Sequence, residues 1–288
     1  VDHIEFTYIK SNGITLHTAI SGPENGPLVI LLHGFPEFWY GWRKQIAPLA
    51  KAGYRVVVPD QRGYNLSDKP KGIEKYGLDT LRDDVIGLIE AMGEKKASII
   101  GHDWGGVVAW HLAGSRPEYV EKLMIMNSPH PAIFQKGITR APTQLLRSLY
   151  IMFFQIPRIP ERTLSDGDFE ALKKMFRKTS REGAFTVEDL KKYSTSWART
   201  GAITSMLNWY RALRKGGLAQ RKKPLIKAPV LIVWGIEDKF LSLKLAEESK
   251  NQCTNADLIY VDATHWVHHE QAEIVNGFMM EYLGKEEH

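Results

Sequence analysis

An α/β fold with a mostly parallel central sheet, helices on both faces and a helical cap inserted into it is what this sequence predicts. Two observations carry that prediction. Short, continuous apolar runs recur at residues 28–32, 54–58, 98–100 and 122–126, separated by helix-like segments at 42–52, 80–92 and 106–115. Strands that are apolar throughout are buried on both faces, as in a parallel sheet covered by crossover helices. The second observation is an interruption. After Asn127 the alternation stops, and strand character returns only at 229–234 and 258–261.

Taken in order, residues 4–10 and 14–20 alternate around Ser11-Asn12-Gly13 and predict an opening β-hairpin. The run 28–32 is bounded by Gly26-Pro27 and His33-Gly34, which mark its ends. Helical spacing covers 143–154, 168–177, 187–195 and 203–215 within the interruption. The predicted division is a core of residues 1–129 and 225–288 with a helical lid of residues 130–224.

The charge divides the same way. The whole chain carries +5, but residues 130–224 hold nineteen Lys and Arg against seven Asp and Glu, a balance of +12, leaving −7 elsewhere. Such an excess is compatible with a nucleic-acid or anionic-surface role. The pairs Lys173-Lys174, Arg177-Lys178 and Lys191-Lys192 have the spacing of solvated outer helix faces, and no nucleic-acid partner is expected. No window approaches the length of an apolar membrane span. A single cysteine, Cys253, excludes an internal disulfide and suits a reducing cytoplasm, the expected location.

Chemistry concentrates after three predicted strands, where open α/β sheets place their sites. Gly101-His102-Asp103-Trp104-Gly105-Gly106 is a small-x-nucleophile-x-small turn between strand and helix, a nucleophile elbow with a carboxylate at its tip. Asp238 follows the strand at 229–234, and His265 follows the one at 258–261. Singly, each has an ordinary explanation as a helix cap, a turn residue or a satisfied buried imidazole. Together, in the order nucleophile, acid, histidine, they predict an α/β-hydrolase triad. His33-Gly34-Phe35-Pro36 lies where such a fold supplies one oxyanion-hole N–H, so the amides of Phe35 and Trp104 are the expected pair. Pro36 is a candidate for a cis bond.

Three stretches then carry a family resemblance: His33-Gly34-Phe35-Pro36-Glu37-Phe38-Trp39, Asp60-Gln61-Arg62-Gly63-Tyr64 and the elbow itself. Together with Asn127-Ser128-Pro129-His130-Pro131, they resemble the α/β-hydrolase-fold epoxide hydrolases over essentially the whole chain, in the simpler microbial or plant layout. The resemblance implies two lid tyrosines that donate to the epoxide oxygen. Tyr150, in Leu149-Tyr150-Ile151-Met152-Phe153-Phe154-Gln155, and Tyr210, in Asn208-Trp209-Tyr210-Arg211, match them. It also implies an Asp103 ester hydrolysed by water that His265 and Asp238 activate, with no metal or organic cofactor. Phe35, Trp104, Met152, Phe153, Phe154, Trp209 and Trp266 are expected to line an apolar pocket for aryl or alkyl epoxides. His102, His130, His268 and His269 are expected to be structural or solvated, and the chain to be a monomer or homodimer.

Haloalkane dehalogenases share the carboxylate elbow and the ester. They need side-chain N–H donors for the halide: Trp104 could be one, but Phe35 stands where many have Asn as the second, for which Trp197 or Trp209 could substitute. Fluoroacetate dehalogenases typically have Arg after the nucleophile, where this chain has Trp104. A non-enzymatic receptor on the same scaffold is the rival of another class.

Overall fold

The computed structural model describes residues 4–216 and 225–285. It opens on the hairpin β1 (Glu5–Ser11) and β2 (Ile14–Ser21), turned by Asn12 and Gly13 at φ of 47° and 75°. The core strands follow: β3 (Leu28–Leu32), β4 (Arg55–Pro59), β5 (Ala97–His102), β6 (Val120–Met126), β7 (Val230–Gly235) and β8 (Ala256–Val261). They form one eight-stranded sheet in the order β1-β2-β4-β3-β5-β6-β7-β8, antiparallel only where β2 meets β1 and β4. The expected mostly parallel sheet is therefore present.

Between these strands lie α1 (Arg43–Lys51), α2 (Leu78–Ala91) and α3 (Trp104–Ser115). Alternation along the strands builds a core on each face. Ile30, Leu32, Ile99, Ile125 and Ile232 point to one side, and Val29, Leu31, Ile100, Met124, Leu231 and Val233 to the other. Every strand residue of β3 is buried, as its uninterrupted apolar run requires.

The insertion leaves the sheet after β6 and, in its described part, consists of helices and the turns that join them. It comprises α4 (Pro131–Arg140), α5 (Pro142–Arg147), α6 (Leu149–Phe154), α7 (Ile159–Thr179), α8 (Val187–Trp197) and α9 (Ala202–Gly216). The helix expected at 143–154 is two, broken at Ser148, and α4 had no counterpart in the sequence reading. Helix α7 is kinked at Asp166–Phe169, where Gly167, Asp168 and Phe169 all take positive φ. The lid boundary expected at residue 224 lies outside the described residues. The buried lid residues Phe176, Tyr193, Trp197 and Trp209 join the core on one face of the sheet. After β7 come α10 (Leu243–Lys250), α11 (Val267–Glu270) and α12 (Ala272–Gly284). Among the described residues, no helix is long and apolar enough to cross a membrane.

Candidate active site

Strand β5 ends at His102 and α3 begins at Trp104, leaving Asp103 alone on the turn at φ 50°, ψ −121°. A non-glycine residue held there stores strain, typically about 1–3 kcal/mol. The surroundings enforce it. A Cβ at Gly105 would lie 2.0 Å from the Leu32 carbonyl oxygen, so only glycine lets helix and strand approach this closely. Asp103 Oδ1 accepts a 2.8 Å bond from the Phe35 N–H. Trp104, the first residue of α3, presents its amide at the helix N-terminus, where backbone donors lack intrahelical partners. The Phe35-Pro36 bond is cis.

Gly34 is the tightest point of this arrangement. A Cβ there would lie 2.4 Å from Asp103 Cβ and 2.5 Å from Oδ1. Gly34→Ala is therefore expected to displace the carboxylate and cut turnover by about 10²-fold or more, with much less effect on the unfolding midpoint. Steady-state kinetics beside a thermal melt checks this.

Asp238 and His265 sit on loops following β7 and β8, adjacent strands in register from Val230↔Ala256 to Gly235↔Val261. His265 Nδ1 is 2.7 Å from Asp238 Oδ2, and its Nε2 is 3.6 Å from Asp103 Oδ2. Asp238 is further held by N–H donors from Phe240 (2.7 Å) and Leu241 (3.0 Å) and by the Asn127 amide (2.7 Å). Burial works against its charge, but His265, Asn127 and the Phe240 N–H together keep its carboxyl below the usual range. Burial likewise opposes an imidazolium at His265. The Asp238 and Asp103 carboxylates outweigh it and push His265 up to about 10.

These shifts fix a pH dependence of stability. A His265 raised above its ordinary 6.5 contributes stability in full below that value, lost as pH rises through about 10. Asp238, lowered below 3.8, contributes above that value and loses it on acidification. Urea unfolding midpoints should therefore decline between neutral pH and pH 10, and decline less in His265→Gln.

Tyr150 on α6 and Tyr210 on α9 face this carboxylate across the lid, their ring centroids 6.0 Å apart. Burial first, then the negative charge of Asp103 and Asp238, holds the Tyr150 hydroxyl far above its ordinary value. Burial, Tyr150 and Asp103 do the same for Tyr210. Both thus stay O–H donors. Asp103 and the two tyrosines are shared walls of two cavities. One, of about 250 Å³, is completed by Phe35, Phe153, Phe154, Leu164, Ala171, Leu172, Met175, Phe240, His265 and Trp266. The other, of about 50 Å³, is completed by Trp104, Val107, Ser128, Pro129, Pro131, Phe134, Ile151, Leu213 and Leu241.

The chain is similar to known proteins over most of its length. The family model described as alpha/beta hydrolase fold matches residues 27–272. The chain belongs to the α/β-hydrolase fold family. The AB hydrolase superfamily protein YfhM of Bacillus subtilis is 54% identical over 98% of this chain and 99% of its own. Epoxide hydrolase 4 of Mus musculus is 40% identical over 98% of this chain and 79% of its own. The crystal structure of Bacillus megaterium epoxide hydrolase in complex with an inhibitor superposes with a TM-score of 0.88. Its identity is 32%, covering 97% of this chain and 100% of that one.

Within this α/β-hydrolase two pocket expectations need correction. Met152 is 63% exposed and points away from both cavities, because it lies on the outer side of α6. Trp209 is buried but lines neither. Its indole N–H donates to the Arg62 carbonyl at 3.0 Å while its ring packs edge-on against Trp104, so it backs a cavity wall. Phe35, Trp104, Phe153, Phe154 and Trp266 do line the cavities.

A buried cluster behind His265 also went unread. Glu37, His102, His268 and His269 are at most 1% exposed, so these histidines are not solvated; His130 is also buried. Arg43 donates to His269 Nδ1, and His269 Nε2–H and the Tyr193 hydroxyl donate to Glu37 Oε1 at 2.7 and 2.6 Å. Burial would raise Glu37, but His269, His102 and His268 hold its carboxyl well below the carboxylate range. His102 Nε2 donates to the His265 carbonyl at 2.9 Å, which ties the cluster to the histidine loop. Glu37 Oε2, His102 Nδ1 and His268 Nε2 lie within 4.8 Å of one another and have the chemistry to ligate a cation. Asn127 is a second unread residue: it donates to Asp238 and accepts from the Gly235 N–H at 2.9 Å. Its sequence signals were its place at the end of a core strand and within a stretch that carries the family resemblance, neither of which gave it this role.

Proposed function

We propose that this α/β-hydrolase opens apolar epoxides to vicinal diols through a covalent ester on Asp103. One observation carries the reading: Asp103 and two protonated tyrosine hydroxyls share the walls of the same apolar cavities. A carboxylate needs no proton removed before it attacks. As its oxygen bonds to a ring carbon, the ring C–O bond breaks and the electron pair moves to the epoxide oxygen. Tyr150 and Tyr210 supply the hydrogen bonds and the proton that this alkoxide requires.

The charge state of His265 supports the second half. Flanked by two carboxylates, it holds a proton in the resting site. Esterification neutralises Asp103, so the imidazolium loses one of its two anionic neighbours and its proton affinity falls. That proton restores the tyrosine hydroxyl that gave its own to the alkoxide, leaving His265 neutral. The neutral imidazole, oriented by Asp238, can then take a proton from water attacking the Asp103 ester carbonyl. The Phe35 and Trp104 amides stabilise the oxyanion; as the C–O bond breaks, the second proton of the attacking water passes to the leaving oxygen, which releases the diol and returns Asp103 as a carboxylate, with His265 again protonated.

Halide release is less well supported. Trp197 donates its indole N–H to the Pro36 carbonyl at 2.6 Å and Trp209 donates to Arg62, so both candidate lid donors are occupied by backbone. The experiment is a panel of aryl and alkyl epoxides and haloalkanes assayed in parallel. Diol without halide is expected; halide without diol would reject the reading.

A further inference from the structure

The outward position of Met152 belongs to a pattern. Helix α6 is apolar on opposite sides, and α5 before it exposes its leucines. Inward, Ile151 lines a cavity and Phe154 is buried. Outward, Leu145, Leu149, Met152, Ile156 and Ile159 recur at steps of three or four residues, with Leu146 beside them, at exposures from 40% to 66%. Scattered exposed aliphatics are ordinary, but six crowded into residues 145–159, a stripe that runs over α5, α6 and the start of α7, mark an interaction face.

Charge selects the occupant. From Pro131 to Pro160 the chain contains no Asp or Glu. Lys136, Arg140, Arg158 and Arg162 are exposed around the stripe and have no ion-pair partner among the described residues. A second copy would press one strongly basic lid against another. An anionic lipid surface offers the opposite: headgroup phosphates for the cations and an acyl boundary for the aliphatics.

We propose that the outer face of α5, α6 and the start of α7 docks on an anionic bilayer surface, the aliphatic stripe entering the headgroup boundary while the flanking cations meet lipid phosphates. The lid stays helical, and among the described residues no helix is long and apolar enough to cross the bilayer. The site is fixed relative to this face, because Arg147 donates to the Asp238 carbonyl at 2.8 Å and Gln144 to that of Phe240 at 2.9 Å. Docking thus places the cavities, whose walls include Tyr150 and Ile151, about one helix diameter from lipid. The docking does not depend on which reaction the site performs.

Co-sedimentation of the full chain with vesicles of phosphatidylcholine, alone or mixed with phosphatidylglycerol, tests this. Binding to the mixed vesicles is expected to be at least about tenfold stronger and to weaken with salt. The double variant Leu146→Asp, Ile159→Asp should lose at least about tenfold of that binding with an unchanged unfolding midpoint. Equal binding to both vesicle types, or to neither, overturns the proposal. So does a variant that binds like the parent, which would assign the attraction to other basic surfaces. A dimer in analytical ultracentrifugation that the same substitutions dissolve would give the face to a second copy instead.

Discussion

His265→Gln is expected to yield a protein that alkylates itself at Asp103 and then stops. Glutamine can still be held beside Asp238, but it cannot take a proton from water, and general-base catalysis is commonly worth about 10²–10⁴-fold. Ester hydrolysis should fall by that order while ring opening continues. Intact mass spectrometry of the variant with a simple aryl epoxide should show one adduct with the full mass of the epoxide, and peptide mapping should place it on Asp103. Asp103→Ala should show neither adduct nor turnover. A His265→Gln protein without adduct would reject the covalent route.

The second large effect is expected from the lid tyrosines. Removing one preorganised donor from a developing oxyanion commonly costs about 10²–10³-fold. Tyr150→Phe and Tyr210→Phe should each slow ring opening by roughly that factor, because the other hydroxyl still lines the cavity. The double variant should lose more than about 10⁴-fold, since an unprotonated alkoxide leaves poorly. Pre-steady-state measurement of ester formation separates this from hydrolysis. A single variant as inert as the double would refute the shared role, and two unaffected singles would refute any role.

How much was legible depended on whether a signal was local. The Leu28–Leu32 strand reads cleanly because all five residues are buried and its boundaries are marked by turn residues. Asp103, Asp238 and His265 were readable because each follows a strand with its own periodicity, and sheet topology brings strand ends together. Met152 misled for a physical reason. Apolar residues at helical spacing define a buried face only when the other face is polar, and α6 is apolar on both. Trp209 shows a further limit: burial behind a wall and exposure within a cavity leave the same composition. The Glu37 cluster was invisible because its members come from the loop after β3, the end of β5, α8 and α11, and no spacing encodes their meeting.

The place where the lid leaves the sheet has a consequence for how such proteins diversify. β6 and β7 are paired neighbours, matched from Leu123↔Val230 to Met126↔Val233. The whole insertion is thus a loop between adjacent strands, and its exchange leaves every strand partner unchanged. Long loops of this kind are costed only weakly by length. Yet Tyr150 and Tyr210 would leave with it, whereas Asp103, Asp238 and His265 would stay. On the proposed mechanism, a lineage that swaps this loop changes its leaving-group chemistry along with its substrate range, and must acquire both together.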